Sequence, residues 1–153
     1  MPDMSGPPAH TPIGLRLSRT ARVVTQAFER AMAEAGGSVS TWQVLLLVRS
    51  EEWGTQAKLA DALGVTGATL THHLNALERQ GLVRRWRDAV NRRVQRVELT
   101  PDGEALFGRL REVAMAHDAR LRAALSDTEL AQLGDLLDRL RAAVEDEGRT
   151  RRA

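Results

Sequence analysis

The chain has 153 residues, no cysteine, and 22 Lys and Arg against 20 Asp and Glu, a net charge of +2. That length fits one ordinary domain, or a small domain with helical extensions, and the absence of thiols excludes disulfides, thiolate metal sites and a cysteine redox switch. No apolar run approaches the roughly 18 to 20 residues of a membrane span, so a cytoplasmic protein with no membrane partner is expected.

Residues 1–12 hold Pro2, Pro7, Pro8, Pro12 and Gly6 and lack the basic start and apolar stretch of a secretory signal. They read as a flexible lead-in. Ile13, Leu17, Val24, Phe28 and Ala31 then recur at helical spacing, and Gly36-Gly37 ends that run, which predicts a first helix over 13–35. Ser40 with Gln43 three residues on forms a capping box before Val44-Leu45-Leu46-Leu47-Val48. A second helix that is apolar all round belongs in the centre of a domain.

Thr55 can cap a short third helix, 56–63, stopped at Gly64; Thr66 can cap a fourth, 67–80, stopped at Gly81. Leu82 to Arg87 and Arg93 to Leu99, with a turn between them, have the β-branched and aromatic content of a two-stranded hairpin. Thr100-Pro101 opens a long fifth helix with the stripe Leu106, Leu110, Val113, His117 and Leu121. Ser126 and Glu129 form a capping box for a sixth, lined by Leu130, Leu133, Leu137, Leu140 and Val144.

The fold class expected is mainly α with a small β-hairpin wing. A lead-in (1–12) and a dimerisation helix (13–39) precede a winged helix-turn-helix (40–100). Further dimerisation helices (101–147) and a charged tail (148–153) follow it. The stripes of the first, fifth and sixth helices exceed what so small a winged domain can cover. A second copy of the chain would cover them, so a homodimer is expected.

The middle of the chain carries the positive charge. Residues 55–100 hold eight basic and four acidic groups, whereas 1–54 are balanced and 101–153 are net acidic. Arg84, Arg85, Arg87, Arg92, Arg93 and Arg96 crowd the hairpin around Asp88. Such a cluster fits a polyanion, although a solvated hairpin would look the same by charge alone.

Ala60, Gly64 and Leu70 fall at the spacing of a DNA-binding helix-turn-helix, with a small residue at the crossing, glycine in the turn and an apolar residue facing back. On the fourth helix Leu70, Leu74 and Leu77 form the buried stripe. Ala68, His72, Asn75 and Arg79 lie roughly opposite, with Thr69 and His73 on the shoulder. That face is short, hydrogen-bonding and free of acids before Glu78, which suits a major groove. Thr66 and the free N–H groups at the helix start suit a phosphate. An ordinary solvated amphipathic helix is the plainer alternative.

His72 and His73 are adjacent and point about 100° apart on a helix, so they cannot chelate one metal together. No metal, no cofactor and no catalytic constellation is expected.

From Ser40 to Gly103 the chain resembles the MarR family of bacterial winged helix-turn-helix regulators. The residues that carry the resemblance are Gly67-Ala68-Thr69-Leu70-Thr71-His72-His73-Leu74, Glu78-Arg79-Gln80-Gly81-Leu82-Val83, Arg87-Asp88-Ala89-Val90-Asn91-Arg92-Arg93 and Glu98-Leu99-Thr100-Pro101-Asp102-Gly103. Asn91 stands where the family's wing usually has a second Asp. The resemblance implies a dimer on double-stranded DNA, with Arg92 and Arg93 of the wing in the minor groove. It further implies release by a small aromatic or phenolic effector, for which Arg16, Trp42, Arg49 and His117 are residues of suitable type. A repressor on a pseudo-palindromic operator is the reading this supports; a winged-helix protein-interaction module that does not read DNA is the alternative.

Overall fold

The computed structural model describes residues 10–50 and 56–150, the last five of these as backbone only. Its elements are α1 (Ile13–Glu34), α2 (Val39–Arg49), α3 (Gln56–Leu63), α4 (Gly67–Arg79), β1 (Val83–Arg87), β2 (Gln95–Leu99), α5 (Pro101–Arg122) and α6 (Asp127–Thr150). This is the mainly helical, hairpin-bearing class expected. The Thr55 cap, most of the lead-in and the last three residues of the tail lie outside the described residues. The chain divides into two compact units, Met1–Ala114 and Met115–Ala153.

The first unit is built around Met32, Leu45, Leu59, Leu70, Leu74 and Leu110, all fully buried, with Val83 and Val97 from the hairpin joining them. On α1 only the C-terminal end enters this core: Met32 is buried and Phe28 packs against it, while Ile13 and Leu17 of the predicted stripe are exposed. The second helix starts two residues earlier than expected, because Ser38, not Ser40, is the cap. Ser38 has extended backbone, and its hydroxyl accepts from the Thr41 N–H at 3.0 Å. Nor is α2 buried all round: Val44 and Leu45 are buried but Leu46 is exposed, so one side faces the core.

Between α3 and α4 the chain turns at Gly64, whose φ of +66° is costly for a residue with a Cβ. Buried Ala60 lets the two helices cross closely, and Leu70, Leu74 and Leu77 face inward as the spacing predicted. Gln56 reinforces the crossing by donating from Nε2 to the Thr71 hydroxyl at 2.6 Å.

The hairpin pairs antiparallel from Val83 with Leu99 to Arg87 with Gln95. Thr100 ties its base to the body. Its hydroxyl donates to the Gly81 carbonyl at 2.5 Å and accepts from the Gly103 N–H at 3.1 Å, so it also caps α5. A Cβ on Gly103 would lie 2.0 Å from the Leu82 carbonyl oxygen, and only glycine lets α5 start this close to the hairpin.

In the second unit, α6 opens with the predicted capping box. The Ser126 N–H donates to Glu129 Oε1 at 3.0 Å, and the Glu129 N–H donates to the Ser126 hydroxyl at 3.2 Å. The Ser126 N–H, with the Ser126 hydroxyl beside it, holds the Glu129 carboxyl below its usual pKa. The helix continues to Thr150, into the stretch expected to be a tail. Its acidic and arginine residues are adequate helix formers, and Gly148 alone does not stop it. Leu133, Leu136, Leu137, Leu140 and Val144 are exposed along it.

Candidate nucleic-acid interface

Thr66 caps α4: its hydroxyl accepts from the Thr69 N–H at 3.1 Å and lies 3.0 Å from the Thr69 hydroxyl. The remaining N–H groups of the first turn have no intrahelical acceptor, and the helix dipole places partial positive charge there. Ala68, Thr69 and His72 are exposed, His73 is half-buried, and Arg79 is exposed in the last turn. His72 and His73 have ring centroids 6.2 Å apart in an edge-on arrangement. Among the described residues no group of three or more His, Asp or Glu side chains could hold a metal ion.

Asn75 departs from the expected arrangement. It is half-buried, and its Oδ1 accepts from Arg85 Nη2 in the hairpin. Spacing on a helix predicts which side a residue occupies, but not which strand residue lies against it.

At the wing tip a single carboxylate organises the turn. Asp88 Oδ1 accepts from the N–H groups of Val90, at 2.9 Å, and Asn91, at 3.0 Å, while Oδ2 accepts from Arg96 Nε at 2.9 Å. The Asn91 N–H, the Arg96 guanidinium and the Val90 N–H together lower the Asp88 pKa. Asn91, in the place of the usual acid, accepts from the Arg93 N–H at 3.2 Å. The amide oxygen therefore orders the backbone that carries Arg93.

The arginine cluster is more neutralised than its composition suggested. Arg84 pairs with Glu98 across the strands, Arg85 with Glu78 of α4, and Arg96 with Asp88. Cross-strand register and helix-to-strand contact bring Glu98 and Glu78 in, and neither follows from local sequence. Arg92 and Arg93 are exposed and, among the described residues, have no ion-pair partner; Arg87 donates to the Arg92 carbonyl at 2.9 Å. Positive charge is thus left at the tip, where a polyanion can reach it.

A cleft of about 490 Å³ joins tip and helix. It is lined by Gln56 and Ala57 of α3, Gly67 and Thr71 of α4, and Arg87, Arg93, Val94 and Gln95 of the hairpin. The start of α4 and the wing arginine Arg93 therefore open on one space. Gln56 and Arg87 were not among the predicted site residues. The arginine cluster was a signal for Arg87, whereas nothing local marked Gln56.

Of the four candidate effector residues, Arg16, Trp42 and Arg49 lie in the first unit and His117 in the second. Trp42 stacks on Phe107, with centroids 5.4 Å apart and planes 18° from parallel. Arg49 lies 5.9 Å from the same ring and pairs with Glu104 at 3.0 Å. Arg16 lines a separate surface recess with His10, Thr11, Arg19 and Thr20. His117 is half-buried in the second unit.

The family model described as MarR matches residues 38–94, which run from the α2 cap to the end of the wing turn. A transcriptional regulatory protein for the hcr operon of Thauera aromatica is 28% identical over 129 residues, covering 84% of this chain and 78% of its own. The transcriptional repressor CouR, solved on a 23-mer DNA duplex, is similar with a TM-score of 0.74 and 27% identity over 85% of this chain and 92% of that one. CouR from Rhodococcus jostii RHA1 bound to p-coumaroyl-CoA is similar with a TM-score of 0.68 and 28% identity over 84% and 90% of the two chains.

Proposed function

The chain belongs to the MarR family of DNA-binding transcriptional regulators, which are not enzymes, and from that premise we propose that it acts as a homodimeric repressor released from its operator by a small aromatic or phenolic ligand. The observation that carries DNA reading by this chain is the shared cleft. The acid-free start of α4 and Arg93 of the wing tip line one cleft of the first unit, a major-groove reader beside a minor-groove reader. Thr66 and the first turn of α4 take a phosphate. Ala68, Thr69, His72 and His73 face base edges, Arg79 reaches the backbone, and Arg92 and Arg93 enter the minor groove.

Two-fold pairing is supported by the exposed apolar side chains of α1 (Ile13, Leu15, Leu17, Val23) and α6 (Leu133, Leu136, Leu137, Leu140). A dimer presents two recognition helices and therefore reads a pseudo-palindromic site. For the effector, the ligand of the CouR structure is an aromatic acyl thioester. Trp42 and Arg49, which share Phe107, supply an aromatic face and a cation for such a compound, and Arg16 and His117 stay candidates for further contacts with it. The test is a gel shift at moderate salt with the DNA upstream of the chain's own gene. A specific shift relieved by a hydroxycinnamoyl thioester is expected, and no specific shift would favour a protein-docking winged helix.

A further inference from the structure

The side chains of β1 alternate, so Val83, Arg85 and Arg87 share one face. Val83 on that face is buried in the core, and an apolar residue would ordinarily follow at 85. Arginine stands there instead, with only 13% of its side chain exposed. Its guanidinium is held at two points by one helix. Nε donates to Glu78 Oε2 at 2.7 Å, and Nη2 donates to Asn75 Oδ1. Asn75 and Glu78 are three residues apart and thus neighbours on the surface of α4.

A planar fork gripped at both ends fixes direction as well as distance. Surface ion pairs contribute little, and Arg84–Glu98 and Arg122–Asp118 are of that kind. Arg85 differs in being largely buried and in joining two elements with separate DNA tasks. A two-stranded hairpin is marginal by itself and takes its orientation from what it packs on. Val83 and Val97 pack its base onto the core, and Arg85 ties it sideways to the recognition helix.

Resting on the reading that this protein binds DNA, we propose that Arg85 is a positioning residue that sets the wing in register with α4, and that Asn75 serves this link instead of reading a base. The Arg92-Arg93 tip then meets the minor groove only while the fork is closed. The chemistry that favoured Asn75 as an adenine reader, an amide with an acceptor oxygen, is the same chemistry that holds Arg85.

The test is DNA affinity by fluorescence anisotropy, using the full chain and a labelled duplex of its own upstream DNA. The variants are Arg85→Met, Arg93→Ala, their combination, and Asn75→Ala, with thermal unfolding recorded for each. Arg85→Lys is measured beside Arg85→Met as a variant that keeps the charge but cannot grip both partners. Arg93→Ala should cost about ten-fold in the wild-type background and about two-fold or less once Arg85 is Met or Lys, because coupled residues are non-additive. Asn75→Ala should lower affinity for all operator variants alike and leave their ranking unchanged. The proposal is overturned if Arg93→Ala costs the same in every background, as a purely stabilising Arg85 requires, or if Asn75→Ala alters base preference. Absence of specific binding by the wild-type chain would overturn both this proposal and the function it rests on.

Discussion

Arg96 on β2 donates from Nε to the Asp88 carboxylate at 2.9 Å, and the other oxygen of that carboxylate holds the Val90 and Asn91 N–H groups of the wing turn. One acid therefore ties the tip's backbone to the strand that returns from it. Replacing Asp88 with Ala removes all three bonds and should lower DNA affinity about three- to ten-fold at moderate salt. Loss of a negative charge by itself would favour phosphate binding, so a net loss isolates the order of the turn. Asp88→Asn, which keeps a neutral acceptor, should fall between. Because the folded-state pKa is depressed, the contribution of Asp88 to wing order is complete above the ordinary aspartate pKa of about 3.9. It is lost as the pH falls through the lower folded-state value. The amide shifts of Val90 and Asn91 in an NMR titration should therefore stay constant from pH 7 to about 5 and move only in stronger acid.

Arg93 sits on the shared cleft and has no acid partner among the described residues. Arg93→Ala should weaken binding to every duplex by a similar factor and reduce the slope of log affinity against log salt by about one. Titrations at three or more salt concentrations measure this. An unchanged slope would remove Arg93 from the interface.

Thr69 and His72 are exposed on the first two turns of α4. His72→Ala or Thr69→Ala should relax preference at one operator position, by about 1–3 kcal/mol of discrimination, and leave the salt slope intact. Competition among duplexes with single base-pair changes gives that number. Thr69 needs one control, because its N–H and hydroxyl also meet the Thr66 cap. Thr69→Ser keeps the hydroxyl and should retain most of the preference.

Leu137 is exposed on α6 together with Leu133 and Leu140. In the proposed homodimer it is covered, and Leu137→Glu buries a charge in that interface. Sedimentation equilibrium should find a dimer for the wild-type chain and a monomer for the variant, whose affinity for a full palindrome falls with it. A monomeric wild-type chain would contradict the two-fold reading.

The parts of this molecule that were legible in its sequence are those fixed by short-range chemistry. The Thr66 cap, the Gly64 turn, the Leu70-Leu74-Leu77 stripe and the Ser126–Glu129 box each need only a few neighbouring residues, and each was found where expected. The α2 cap was misplaced because Ser38 and Ser40 are the same residue type two positions apart, and local pattern favoured the one followed by Gln43. The wing's charge balance was illegible for a different reason. Glu98 meets Arg84 through strand register, and Glu78 meets Arg85 because α4 packs against β1. Such pairings belong to tertiary structure. Residue type is all that groups Arg16, Trp42, Arg49 and His117 in the sequence; in the fold Trp42 and Arg49 share a neighbour, Phe107.

The most direct test of the central claim is the ratio of affinities for the chain's own upstream DNA and for a scrambled duplex of the same length and composition, measured by fluorescence anisotropy at about 150 mM salt. Specific reading by α4 and the wing predicts a ratio of at least about a thousand. A ratio near one, with binding that disappears as salt is raised, would mean that this basic surface attracts phosphate without reading sequence, and would contradict the account.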